Sequence, residues 1–311
     1  MLRDCAVDPD SSVQAASRDD DAALAQLLDR HFDGRPGLLR EFPLLLGRDN
    51  RARCRVLCDP AGGYRAHAAW RPLELATSHG RLRAAGIGMV TTHPAWRGRG
   101  LASRLVDDCI AAARREDCDL ALLFGAERGL YARLGFRAAG RERWSRIEPS
   151  AAAASGSRVR AGERRDAPRL LELLQSHPLR VERSVGELER LLEVPGTRVR
   201  VLEREGAVAA YAIEGKGRDL QGVVHEWAGA APDVARLLHA LGACAGAPLW
   251  VVSPASAPSP LPEAREERLA PFVQLRILRP DRCGGTDPVA VFGSGASPGQ
   301  RELYLWGLDS I

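Results

Sequence analysis

The chain has 311 residues, 45% of them hydrophobic and 27% charged, which is ordinary for a globular protein and long enough for two domains with cores of their own. Lys216 is the only lysine among 44 basic residues, but the arginines are interleaved with acids and the net charge is only +4, a pattern that argues against nucleic-acid binding. Seven cysteines without a CxxC pair fit neither a disulfide framework nor a zinc site and suit a reducing, cytoplasmic setting; the acidic N-terminus does not read as a signal peptide, and no apolar run is long enough for a membrane span.

Taken in chain order, residues 18–32 predict a first helix, with acids at its start and Leu24, Leu27, Leu28 and Phe32 on one face. Residues 52–59 and 63–75 predict strands joined by a turn at Pro60 to Gly63, and residues 81–92 a longer strand ended by Pro94. A helix follows from about Gly100 to Arg115, striped by Leu101, Leu105, Cys109, Ile110 and Ala113. Residues 119–125 form a short, fully apolar strand, as expected at the centre of a sheet. A short helix at 126–134 and a strand at 136–147 close the unit. The small, polar stretch 148–157 is the expected linker, giving domains 1–150 and 151–311. The second half echoes the first. Residues 159–174 align with 13–28, and Arg55-Val56-Leu57 recurs as Arg200-Val201-Leu202, as a duplication would produce.

The stretch HPAWRGRGLASRL (93–105) carries the chemistry. The first N–H groups of a helix have no partner within it, and its dipole is positive there. Glycines ahead of it let a ligand approach the backbone closely. Arg97, Gly98, Arg99 and Gly100 before Leu101 and Ala102 therefore read either as a phosphate site or as a plain turn with a polar helix start. The corresponding segment of the second half, 225–241, has no such glycine pair and places Glu226 and Asp233 nearby, so anion binding is expected in the first half alone.

This stretch resembles the acetyl-CoA-binding motif of the GNAT superfamily of N-acetyltransferases, Arg/Gln-x-x-Gly-x-Gly/Ala, here Arg97 to Ala102. A second family element, a tyrosine just ahead of Gly-Phe, is matched by Tyr131, Gly135 and Phe136. The resemblance covers roughly residues 15–147. It implies an α/β (α+β) fold of two GNAT-like domains, each with a mixed, mostly antiparallel sheet flanked by helices, and splayed central strands in the first. It further implies that Val90 and Thr92 meet the pantetheine of acetyl-CoA, that Arg97, Gly98, Arg99, Gly100, Leu101 and Ala102 meet its pyrophosphate, and that Tyr131 is the catalytic acid. An oxyanion donor falls between Met89 and Thr91. No metal is implied, and the partner is a small-molecule or peptide amine.

A motif-bearing copy followed by a degenerate one is similar to acetyltransferases of the enhanced intracellular survival type. Those carry a third, sterol-carrier-like domain, which is not expected within these 311 residues, and use the terminal carboxylate as base, which would be Ile311 here. His93 is read as a family feature without a catalytic role, Glu41 and Asp33 as surface acids, Lys216 as solvent-facing, Trp96, Trp227 and Trp306 as packing residues, and 253–268 as a flexible loop. The expected activity is N-acetylation of a primary amine, with a non-catalytic acyl-CoA sensor or scaffold as the alternative. Leu122 and Phe124 leave little room for a longer acyl chain.

Overall fold

The computed structural model describes residues 12–310, apart from 18, 33, 35, 61, 78, 126–127, 149–157, 246–247, 256, 262–266 and 293–302. Thirteen strands among the described residues build one sheet. They are β1 (Gln14–Ala15), β2 (Cys54–Cys58), β3 (Tyr64–Thr77), β4 (Gly80–Thr92), β5 (Leu120–Leu123), β6 (Arg137–Ile147), β7 (Arg158–Ala161), β8 (Arg180–Val181), β9 (Arg198–Arg204), β10 (Ala207–Lys216), β11 (Asp219–Gly229), β12 (Leu249–Pro254) and β13 (Glu267–Ile277). The helices that matter below are α1 (Asp21–His31), α2 (Leu38–Glu41), α3 (Leu101–Arg115), α4 (Arg128–Arg133), α5 (Ala167–Leu174), α6 (Val185–Leu192) and α7 (Ala231–Cys244).

The sheet runs β1-β2-β3-β4-β5-β13-β6-β12-β11-β10-β9-β7, with β8 beside β3. All pairings are antiparallel except β4 with β5 and β11 with β12. These two parallel pairs mark the same β-α-β unit in each half, β4-α3-β5 and β11-α7-β12, a crossover that a parallel pair requires. Sequence patterning makes 136–147 the closing strand of the first unit. The structure instead places β6 between β13 and β12, while β13 lies against β5. Each half thus lends a strand to the other. β13 went unread in the sequence because it follows a Pro- and Ser-rich stretch with no periodic signal.

Why each helix forms is plain from its stripe. α3 buries Leu101, Leu105, Val106, Cys109, Ile110, Ala112 and Ala113 against Ala85, Ile87, Ala121 and Leu123 of the sheet, each large side chain contributing about 1.5–3 kcal/mol. α1 and α2 bury Leu24, Leu28, Leu38 and Phe42 with Met89. Along β5, Leu120 and Leu122 join a different cluster, shared with the second half, and Phe124 just beyond the strand packs against it. This alternation, period two, sends neighbouring residues to opposite faces. No helix among the described residues is long and apolar enough to cross a membrane.

Candidate active site

The parallel pairing of β4 with β5 covers only Ala84–Leu120, Ala85–Ala121 and Gly86–Leu122. Beyond Gly86 the strands part, leaving a gap lined on one side by main chain. On its other edge β4 carries a bulge: pairing with β3 shifts register between His67 and Ala69, and Met89 adopts φ +55°. A bulge of this kind re-aims the residues it contains. His67, fully buried, holds it, its Nδ1–H donating to the Met89 carbonyl at 2.8 Å. Burial lowers the His67 pKa to about 4, so the ring is neutral and keeps this hydrogen bond throughout the physiological range. His67 carried no signal in the sequence, where it is one residue of an alternating strand.

A cleft of about 740 Å³ opens from this gap. Val90 and Thr92 line it, with Arg97, Gly98, Gly100, Leu101, Ala102 and Tyr131. Of the residues expected to meet the cofactor, Arg99 does not line it; its guanidinium lies over the Trp96 ring at 4.6 Å. Trp96 itself lines the cleft and takes Arg65 on its ring as well, at 3.9 Å.

Gly98 and Gly100 both have φ +74°, the left-handed region that glycine enters without strain. A Cβ on either would meet nothing within 4 Å, so the space above them is open. Gly100 is the N-cap of α3 and, lacking a side chain, caps none of its N–H groups. The first turn therefore presents its N–H donors and the positive end of the dipole to the open space above the glycines. Arg97 stands beside it, its Nε donating to the Thr92 carbonyl at 3.3 Å and its Nη2 to His31 Nδ1 at 3.3 Å. Partial burial and Arg97 lower the His31 pKa. His93 does not line the cleft; its Nδ1 accepts the Ala95 N–H at 3.3 Å and caps the turn Pro94–Trp96.

Tyr131, on α4, is 6% exposed and lines the cleft together with the glycines. Its ring packs edge-on to Phe136, centroids 6.1 Å apart, and directly over Gly125, where an added Cβ would lie 2.5 Å from Cε2. Tyr131 and Phe136 thus pack as one unit, with Gly125 under the tyrosine ring.

The second half repeats the geometry and closes it. β11 and β12 pair only at Val223–Trp250 and Val224–Val251. There, however, the Trp227 indole N–H donates to the Val252 carbonyl at 3.1 Å, and Trp306 packs on Trp227, centroids 5.3 Å apart. Asp233 occupies the first turn of α7 and pairs with Arg204 at 3.3 Å, so the helix start is already supplied with an anion. Trp227 and Trp306 are packing residues, as read from the sequence.

Residues 303–310 are seated in the body of the protein. Asp309 and Glu226 grip the fully buried guanidinium of Arg183 at 2.5 and 2.6 Å. Lys216, expected to face solvent, is 3% exposed; its ammonium donates to the carbonyls of Leu308 (3.1 Å) and Ser310 (2.5 Å). Burial lowers its pKa to about 7. Glu41, read as a surface acid, is also buried and accepts from Arg218 at 3.0 Å. Sequence reasoning misplaced both because their partners are distant in the chain. Asp33 and Ile311 lie outside the described residues.

Residues 14–139 match the family model of an acetyltransferase (GNAT) domain. No curated protein matches the sequence. Among solved structures the fold is similar to a GCN5-related N-acetyltransferase from Kribbella flavida (TM-score 0.68, 20% identity, covering 93% of this chain and 76% of that one). It is also similar to one from Anabaena variabilis (0.66, 18%, 86% and 72%) and to Eis1 from Mycobacterium abscessus (0.59, 16%, 86% and 74%). The likeness to an acetyltransferase (GNAT) domain is that of residues 14–139, and the solved structures share the fold of most of the chain.

Proposed function

We propose that the protein is an acetyl-CoA-dependent N-acetyltransferase, with catalysis in residues 1–150 and a degenerate GNAT-like copy in 151–311 that shapes the acceptor side. The observation that carries this is the cradle at α3: two left-handed glycines, an uncapped helix start and open space above, beside an arginine. This arrangement suits a diphosphate. The free edge of β4 at Val90 and Thr92 suits the amide groups of a pantetheine arm, which add to the strand as a further strand would.

In the reaction one N–C bond forms and one C–S bond breaks; the amine loses a proton and the departing thiolate gains one. Tyr131 supplies that last proton. A phenol near pKa 10 and a thiol near 8.5 are close enough for efficient transfer. The bulge at Met89–Val90, unpaired with β5, offers a main-chain N–H to the developing oxyanion.

The direct test is coenzyme A release from acetyl-CoA over a panel of amines, beside calorimetry of acetyl-CoA binding. Tyr131→Phe separates enzyme from sensor: the enzyme loses rate and keeps its acetyl-CoA affinity. An absence of acetyl-CoA binding by the wild-type protein would overturn the proposal.

A further inference from the structure

A second cavity, of about 340 Å³, lies among Phe42, Phe124, Trp144, Tyr304, Glu142 and Asp219, with residues of the terminal segment as part of its wall. Phe42 follows α2, Phe124 follows β5, Glu142 and Trp144 lie on β6, Asp219 on β11 and Tyr304 in the segment 303–310, so no local stretch of sequence announces the site. Its position relative to the cleft follows from two contacts. Phe124 lines the cavity, and the next residue, Gly125, abuts Tyr131 in the cleft. Phe42 also lines the cavity and packs in the same cluster as Met89, next to the cleft residue Val90. The walls of the two spaces therefore adjoin near where β4 and β5 part, which is where the thioester would lie in the reading above.

Four aromatic rings and two carboxylates around one small volume are the chemistry that recognises an ammonium on an apolar body. Ring faces attract a cation, most strongly when it is desolvated; Trp144 and Phe42 already carry Arg268 and Lys216, which leaves Phe124 and Tyr304 for the ligand's ammonium. Glu142 is oriented by the Trp144 indole N–H, 2.8 Å from its Oε1. Burial holds its pKa above the usual carboxylate value, as for a charge short of compensation; Arg268, over the Trp144 ring at 4.6 Å, offsets this from outside. Asp219 faces Lys216 across the β10–β11 turn, and that ammonium lies 5.0 Å from the Phe42 ring. Asp219 thus already has a cation opposite it, and the buried Glu142 is the carboxylate left to meet an added positive charge, while a second and third would meet Lys216. The volume is at the small end of the range for ligand sites, about 300–1,000 Å³.

We propose that this cavity is the acceptor chamber, resting on the acetyltransferase reading, and that it takes a compact monoamine with an aromatic or branched aliphatic body in preference to a polycation or a peptide. Glu142 draws in the ammonium, and the rings of Phe42, Phe124, Trp144 and Tyr304 enclose the body. Glu142, Trp144 and Phe42 are then specificity-determining residues.

The test uses phenethylamine, spermidine and a lysine-containing peptide as acceptors. kcat/KM for phenethylamine is expected to exceed the other two by at least about tenfold. Glu142→Gln is expected to raise KM for phenethylamine about tenfold, to weaken its binding measured by calorimetry, and to leave acetyl-CoA affinity unchanged. Trp144→Ala does the same, with partial rescue by Trp144→Phe. A protein that binds and turns over acetyl-CoA but prefers spermidine or the peptide, or whose phenethylamine KM ignores both substitutions, overturns the chamber and leaves the acetyltransferase reading intact. Failure to bind acetyl-CoA overturns both.

Discussion

Replacing Gly100 tests the cradle most sharply, because two variants share one strain and differ in one charge. At φ +74° any side chain costs about 1–2 kcal/mol, so Gly100→Ala and Gly100→Glu should lower the melting temperature equally, by a few degrees. Neither meets a steric wall, since a Cβ there has nothing within 4 Å. The difference between them is therefore electrostatic. A carboxylate about 4 Å from a doubly charged diphosphate is repelled by about 2 kcal/mol even with the screening of bulk water, and by more in the cleft. Acetyl-CoA should bind Gly100→Glu at least about 30-fold more weakly than Gly100→Ala, and the gap should narrow as salt is raised. Calorimetry at two ionic strengths measures this. Equal affinities for the two variants would place the diphosphate elsewhere, and the argument from the uncapped helix would be wrong.

Three further outcomes follow from particular contacts. Tyr131→Phe should lower kcat by about 10²-fold with acetyl-CoA affinity intact; Gly125→Ala, which pushes a methyl into the tyrosine ring, should reproduce much of that loss while retaining the hydroxyl. Asp309→Ala leaves the buried Arg183 with half its partners and should destabilise the protein by about 3–5 kcal/mol in denaturant unfolding, whereas Arg48→Ala, whose partner Asp21 is exposed, should be nearly silent. His67 and His225 are both lowered to about 4 by burial. Between pH 6.5 and 4 the unfolded chain takes up protons that the folded one refuses, so stability should fall on acidification through that window, by about 3 kcal/mol for each ring. His67→Gln should flatten this acid slope in unfolding measured from pH 7 to 4.

Much of the first half is legible in the sequence because its signals are local. Helix α3 announces itself by its stripe, β5 by its unbroken apolar run, and the cradle by two glycines where the backbone turns left-handed ahead of α3. Tyr131 and Phe136 are readable because they pack within a single turn and strand. The parting of β4 from β5 comes from the family resemblance, not from any residue pattern.

Tertiary structure alone decided the rest. The exchange of β6 and β13 is invisible in patterning, since an apolar face states that a strand is covered and not by which neighbour. Lys216 and Glu41 look like surface residues until Ser310 and Arg218 are brought to them from 94 and 177 positions away. The cavity beside the cleft is assembled from six separate stretches of chain. Periodicity records the environment of one face of one element, whereas a site between elements depends on how far apart they come to rest, and that distance is set by the packing of all of them together.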